Sequence, residues 1–319
     1  MALLREATLA ETPLPPVDIN RPPWPGHPVL INGRETYLRP TPGGPGSEPA
    51  LYVHGLGGSS TNWTDIAALL AGRLDAEAMD LPGFGRSDPA PRGGYTLNAL
   101  SRQVARVIEL RDRGPVHLLG NSLGGAIAVH VAATRPELVR TLTLISPAMP
   151  DLRPRLSTDA LLPLMAVPGL STLAERRLAK LSPHERARSV IDVCFADPSV
   201  VPPHRLEEAA AEVERRRELT WAMDAFVRTL RGLIGYHLAP GPKSLWRTAA
   251  LVSAPTLIVW GRQDRLVNVS VAPKLAGIIP DSRLLILDRV GHTAQLEAPE
   301  TVARAVLGLL ADSEEAGPH

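Results

Sequence analysis

The chain has 319 residues, of which 44% are hydrophobic and 21% charged, which suits one core domain of about 200 residues with a sizeable insertion. Its net charge of +1 gives no argument for a nucleic-acid or acidic partner. The single cysteine, Cys194, excludes an intrachain disulfide and a thiolate metal cluster. The longest apolar stretch, Ala160–Leu170, contains two prolines and is too short to span a bilayer, so we expect a cytoplasmic protein without a membrane span.

The first 40 residues are predicted to form an arm and a hairpin. Residues 1–27 are rich in proline and lack periodicity, which indicates an irregular N-terminal arm. Two strand-like runs follow in His27–Pro40, and Asn32-Gly33 separates them. Asn-Gly between two such runs favours a tight two-residue turn.

From Ala50 onwards, short apolar runs alternate with helical patterns. This alternation predicts an α/β fold with a mostly parallel central sheet and helices on both faces. Active sites in such sheets lie at the carboxyl ends of the strands. The predicted strands are Leu51–His54, Ala76–Asp80, Val116–Gly120, Leu142–Ser146, Thr256–Trp260 and Leu284–Leu287, and the clearest helices are Leu97–Arg111, Leu123–Thr134 and Pro299–Leu310.

The alternation is interrupted between residues 148 and 250, where only helical patterns occur. In Trp221–Ile234 the polar residues recur on one helical face, which predicts an amphipathic helix. We therefore interpret residues 148–250 as a helical cap inserted into a core that comprises residues 28–147 and 251–319. Apolar residues of Ala160–Leu170 are candidates for lining a pocket beneath this cap.

A serine lies at the turn between a predicted strand and a predicted helix, in the sequence Gly120-Asn121-Ser122-Leu123-Gly124. Such a sharp turn needs residues without a Cβ on either side of the serine, and two glycines supply them. The turn would expose the hydroxyl of Ser122 as a nucleophile. Asn121 either completes this turn or contacts the cap or the substrate.

A glycine-flanked loop, His54–Ser60, follows the first strand of the alternating region. Backbone N–H groups of such a loop can stabilise the negative charge of a tetrahedral intermediate. In this architecture one donor belongs to the residue after the nucleophile, here Leu123, and the other to this loop. We assign Leu56 as the second donor of the oxyanion hole.

An acid and a histidine follow the last two predicted strands. Asp264 comes after Thr256–Trp260, and His292 comes after Leu284–Leu287. Together with Ser122 they give the order Ser, Asp, His that is expected for an α/β-hydrolase triad. Asp288 is a second carboxylate near His292, but we interpret it as a solvated turn residue.

These motifs together resemble the α/β-hydrolase superfamily, in the branch that carries a helical cap and includes esterases and meta-cleavage product hydrolases. The similarity covers about residues 28–310. It implies an α/β-hydrolase fold with Ser122 as nucleophile, His292 as base and Asp264 as the acid that orients it, and it requires no cofactor and no metal. The motifs are His54-Gly55, Asp80–Asp88, Gly120–Gly125, Gly261–Asp264 and Gly291-His292.

The resemblance implies a serine hydrolase of carboxylic esters that acts on a small-molecule acyl substrate; the oligomeric state stays open. An alternative is hydrolysis of a C–C bond in a meta-cleavage-type diketone acid. Hydrolases of that type usually have a Gly-Pro oxyanion loop and a tryptophan after the catalytic histidine, whereas Gly57-Gly58 and Thr293 occur here. A further alternative is a non-catalytic binding protein on the same fold, although such proteins usually lack part of the triad.

Overall fold

One nine-stranded sheet forms the centre of the protein. The computed structural model describes residues 4–151, 166, 176–178, 180–239, 241 and 244–315. The strands are β1 (Arg5–Glu6), β2 (His27–Ile31), β3 (Arg34–Thr41), β4 (Glu48–Val53), β5 (Leu74–Met79), β6 (Val116–Asn121), β7 (Val139–Ile145), β8 (Thr256–Gly261) and β9 (Ser282–Leu287). Their order across the sheet is β1-β9-β8-β7-β6-β4-β5-β3-β2. β3 is antiparallel to both of its neighbours and all other pairs are parallel, so the predicted mostly parallel sheet is confirmed.

Helices cover both faces of this sheet. The helices are α1 (Thr64–Leu70), α2 (Leu97–Arg111), α3 (Leu123–Thr134), α4 (Pro183–Cys194), α5 (Pro203–Arg217), α6 (Ala222–His237), α7 (Leu245–Ala249), α8 (Val271–Ala276), α9 (Ala294–Glu297) and α10 (Pro299–Glu315). α2, α3, α7 and α8 bury apolar side chains on one side, and α1 and α10 do so on the other. Because both faces are covered, the central strands β6 and β8 are buried at every residue.

The N-terminal part of the chain contains the predicted hairpin and one strand that the sequence did not indicate. β2 and β3 pair antiparallel, and Asn32 and Gly33 between them both have positive φ, as a two-residue turn requires. The arm 1–27 is not irregular throughout, because Arg5–Glu6 pairs with β9 at the sheet edge. Two residues are too few for a periodic pattern, and the sheet edge supplies the pairing that the local sequence does not.

The described part of residues 148–250 contains the helices α4, α5, α6 and α7. The predicted amphipathic helix is confirmed as α6, in which Ala225 and Leu230 are buried while Asp224 and Arg228 form an exposed ion pair. α7 packs against the core, where Leu245 and Ala249 are fully buried. Except for Ala166, the stretch 160–170 that we expected to line a pocket lies outside the described residues. Within the described chain, no helix is long and apolar enough to cross a membrane.

Candidate active site

Ser122 lies at the apex of the turn between β6 and α3. Its backbone has φ 53° and ψ −116°, a conformation that residues with a Cβ rarely adopt. A Cβ on Gly120 would lie 2.4 Å from the carbonyl oxygen of Gly124, and a Cβ on Gly124 would lie 2.1 Å from that of Val53. The strand, turn and helix therefore have the arrangement that the sequence predicted. Ser122 is half-buried between two buried neighbours and lines the cavity above the sheet.

Asn121 links this turn to the loop that carries His292. Its Nδ2 donates hydrogen bonds to the carbonyl oxygens of Ile145 (3.0 Å) and His292 (3.1 Å). The side chain is buried, so water does not compete for these bonds. Asn121 therefore completes the turn and bonds it to His292, a link that the sequence did not reveal. Asn121 also lines the cavity, so its contact with the substrate stays a prediction.

His292 and Asp264 form a buried hydrogen-bonded pair. Nδ1 of His292 lies 2.9 Å from Oδ2 of Asp264, and both residues are 3% exposed. The backbone N–H groups of Leu266 and Val267 donate to Oδ1 of the same carboxylate at 2.8 and 2.9 Å. Burial raises the pKa of Asp264, but the charge and hydrogen bond of His292, with the two N–H donors, more than offset this and leave the pKa below its usual range. Asp264 is therefore held as a carboxylate beside the imidazole.

The loop after β4 abuts the serine. A Cβ on Gly55 would lie 3.1 Å from the Cβ of Ser122. The N–H of Gly58 donates to the carbonyl of Gly55 at 3.1 Å, and Gly57 has φ 79°, so residues 55–58 form a tight turn that does not use the N–H of Leu56. Leu123 is the first residue of α3, and the N–H of a first helical residue has no acceptor within its helix. The loop of Leu56 and the start of α3 thus both adjoin Ser122.

Two other charged or titratable residues near the site have structural partners. His54 is fully buried, with Nδ1 2.7 Å from the carbonyl oxygen of Gly55 and Nε2 accepting the N–H of Leu81 at 2.9 Å. Burial lowers the pKa of His54, so it is a neutral side chain that braces the loop. Asp288 forms an exposed ion pair with Arg262, and the hydrogen bond to His292 comes from Asp264 instead.

Helices α4, α5 and α6 lie beside the space above Ser122. The cavity between these helices and the sheet has a volume of about 2050 Å³. Residues from α4, α5 and α6 line it together with Ser122 and His292. Phe226 of α6 lies directly over the tight turn, because a Cβ on Gly57 would be 3.3 Å from its ring. The wall is largely apolar, with Leu230, Leu233 and Ile191 among its members, so it suits a substrate with an apolar part.

Arg216 of α5 is a half-buried charge in this wall. Its guanidinium lies 5.1 Å from the ring of Phe84, and one nitrogen lies 3.4 Å from the carbonyl oxygen of Gly83. Within the described residues, Nη1 of Arg216 is buried and has no hydrogen-bond acceptor. Desolvation, the largest influence, lowers the pKa of Arg216. Nothing in the sequence indicates this position for Arg216, since Arg215–Arg217 has the pattern of the exposed end of a polar helix.

Comparison with known proteins places these features in a family. Residues 49–299 match the family model described as alpha/beta hydrolase fold. Over 277 residues the chain is 30% identical to the dihydrolipoyllysine-residue acetyltransferase component of the acetoin cleaving system of Pseudomonas putida, with 84% of this chain aligned. The chain spans only 65% of the length of that relative.

Two further proteins are similar over most of their length. A 2-hydroxy-6-oxononadienedioate/2-hydroxy-6-oxononatrienedioate hydrolase of Cupriavidus pinatubonensis is 28% identical over 276 residues, which cover 84% of this chain and 88% of that protein. The crystal structure of a putative lipase from Acinetobacter baumannii AYE superposes with a TM-score of 0.75 at 23% identity, covering 92% of this chain and 93% of that one. At 23% identity, the similarity to the lipase structure concerns the fold alone.

Proposed function

We propose that this chain, which belongs to the α/β-hydrolase family, is a serine hydrolase that cleaves carboxylic esters through an acyl-enzyme on Ser122. The observation that carries the proposal is the combination of a strained serine at the end of β6 with a buried His292–Asp264 pair at the ends of the two strands β9 and β8. A serine hydroxyl alone is a weak nucleophile. An adjacent base that is itself oriented by a carboxylate activates it.

In the proposed acylation, Nε2 of His292 takes the proton of Ser122 while Oγ attacks the ester carbonyl. Asp264 holds Nδ1 protonated, so that Nε2 is the nitrogen free to accept, and it stabilises the imidazolium that forms. The N–H groups of Leu56 and Leu123 would hold the oxyanion, and a donor of this kind is typically worth about 3 kcal/mol. His292 then gives the proton to the departing alcohol.

Deacylation uses the same groups. His292 removes a proton from a water molecule, the resulting hydroxide attacks the acyl carbon, and the acid leaves as Ser122 regains its proton. The chain's own residues would supply the nucleophile, the base and the oxyanion donors for these steps. The largely apolar cavity beneath the cap would take the acyl group.

The second candidate function is hydrolysis of a C–C bond in a diketone acid. A relative that is 28% identical over most of its length is named for such a substrate, which carries two carboxylates. Arg216 in the cavity wall has a guanidinium nitrogen without an acceptor in the described residues, and this charge would suit an acidic substrate. Thr293 stands where those hydrolases usually have tryptophan, which is why ester hydrolysis remains our first proposal.

A substrate panel separates the candidates. The unmutated protein and Ser122→Ala are assayed with p-nitrophenyl esters of graded acyl length and with a 2-hydroxy-6-oxo-dienoic acid. We expect ester turnover that Ser122→Ala abolishes. Cleavage of the diketone acid without ester turnover would replace the first proposal by the second. Turnover of neither substrate class, by protein that melts cooperatively, would favour the binding-protein alternative.

A further inference from the structure

The loop that carries His292 is fastened to the cap by three hydrogen bonds. The N–H of His292 donates to the carbonyl oxygen of Cys194, the last residue of α4, at 2.7 Å. The carboxylate of Glu297 makes the other two bonds. Oε1 accepts the N–H of Gly291 on the loop, and Oε2 accepts the N–H of Ala196 on the cap, each at 2.8 Å.

The two segments approach so closely that no side chain fits between them. A Cβ on Gly291 would lie 2.4 Å from the carbonyl oxygen of Cys194 and 2.7 Å from the nitrogen of Ala196. Arg265, the residue after the triad acid, reinforces the same place by donating to the carbonyl oxygens of Asp192 (2.5 Å) and Ala196 (3.4 Å). The end of α4 is thus held by neighbours of both Asp264 and His292.

Glu297 is suited to this position because a carboxylate offers two acceptor oxygens and no donor. Its two oxygens accept N–H groups from different parts of the fold. Ala196 is 101 residues from Glu297 in the chain, and Gly291 is six residues from it. Burial raises the pKa of Glu297, and the N–H groups of Ala196, Gly291 and Thr293 oppose that rise. A glutamine of the same size would turn its NH₂ group towards the N–H of either Gly291 or Ala196. It could therefore accept a hydrogen bond from only one of these two groups.

We propose that Glu297 is a positioning residue that locks the loop of His292 to the end of cap helix α4, so that the placement of the base depends on the cap being seated. The inference rests on the proposed role of His292 as base. Glu297 takes no part in the proposed proton transfers. Its effect passes through Gly291 to the imidazole, where a displacement of about 1 Å can cost about 10²-fold in rate.

The test compares Glu297→Gln with Glu315→Gln, the same substitution at an exposed position at the far end of α10. A fluorophosphonate probe titrates the active sites, and ester hydrolysis then gives kcat per titrated site and KM. We expect Glu297→Gln to lower kcat about 10- to 100-fold and to leave KM within about threefold. A merely structural role would reduce the fraction of titratable sites and the melting temperature but not kcat per site.

Hydrogen–deuterium exchange provides a readout that does not depend on activity. If Glu297 joins the two segments, Glu297→Gln speeds exchange in peptides covering residues 190–197 and in those covering 289–293, whereas Glu315→Gln changes neither. Unchanged exchange in either segment, or kcat per site within twofold of the unmutated protein, overturns the proposal. Absence of labelling in the unmutated protein contradicts the hydrolase assignment instead, and exchange alone then decides whether Glu297 joins the segments.

Discussion

Oδ2 of Asp264 lies 2.9 Å from Nδ1 of His292, while the other carboxylate oxygen accepts two backbone N–H groups. The backbone of its own loop therefore fixes the orientation of the carboxylate, independently of the hydrogen bond to the imidazole. Because its pKa is held low, Asp264 is ionised throughout the neutral range, and the proton between the two residues belongs to His292. That arrangement leaves Nε2 of His292 as the free acceptor.

Removing the charge of Asp264 tests this relationship. We expect Asp264→Asn to lower kcat at least about 10²-fold and up to about 10⁴-fold, because an amide in this position stabilises the wrong imidazole tautomer. Asp288→Asn is the control, since Asp288 is an exposed partner of Arg262 on the loop before His292. Steady-state ester hydrolysis at neutral pH measures both variants. A large loss in Asp288→Asn with a small one in Asp264→Asn would reverse the assignment of the acid.

The glycines around Ser122 make a prediction about stability. In Gly124→Ala the new Cβ would lie 2.1 Å from the carbonyl oxygen of Val53, where only backbone movement can relieve the overlap. We expect a loss of several kcal/mol in the free energy of unfolding, or failure to accumulate as folded protein. Gly72→Ala is the control, because a Cβ there meets no atom within 4 Å. Denaturant unfolding measures both, and equal stability of the two variants would show that the turn is less constrained than described.

His117 makes a prediction about pH. It is buried on β6, with Nδ1 2.8 Å from Oγ1 of Thr141 and Nε2 2.9 Å from a carboxylate oxygen of Glu48. Burial, and to a lesser extent the charge of Arg73, lowers the pKa of His117 to about 4. Its neutral form satisfies both contacts, with Nε2–H donating to Glu48 and Nδ1 accepting from Thr141.

The sign of the pH effect follows from that depressed pKa. Between the unfolded pKa of about 6.5 and the folded pKa, the unfolded chain binds a proton that the folded chain excludes, so stability falls as pH falls. We expect the unmutated protein to lose about 1–2 kcal/mol more than His117→Gln between pH 7 and pH 5. Urea unfolding at the two pH values measures this difference. Parallel losses in both proteins would mean that His117 takes up a proton in the folded state.

The mostly parallel core and the positions of Ser122, Asp264 and His292 after strands β6, β8 and β9 were predictable because their signals are local. Asn32-Gly33 fixes a hairpin turn through backbone preference, and Gly120 and Gly124 mark a turn that a Cβ would prevent. Strands of continuous apolar residues alternate with helices, and this pattern predicts a parallel sheet. It therefore also predicts that Ser122, Asp264 and His292, which come after strands, lie at the carboxyl edge of that sheet.

What the sequence did not reveal depends on contacts between distant segments. Arg5–Glu6 becomes a strand only because the edge of β9 is open to it. Glu297 lies within a short helix and shows no pattern of its own, yet its carboxylate joins Gly291 to Ala196. Arg216 belongs to a run of three arginines that looks solvated, and only the packing of α5 over Phe84 buries it. Such roles follow from tertiary packing, which periodicity and motif spacing do not encode.

The site of reaction with a fluorophosphonate probe is the most direct test of Ser122 as the nucleophile. The purified protein is incubated with the probe beside Ser122→Ala and His292→Ala, and peptide mass spectrometry locates the adduct. We predict one adduct, on Ser122, that is absent from Ser122→Ala and forms far more slowly in His292→Ala, because the hydroxyl then lacks its base. An adduct on another residue, or none on folded unmutated protein, would contradict the assignment of Ser122 as the nucleophile.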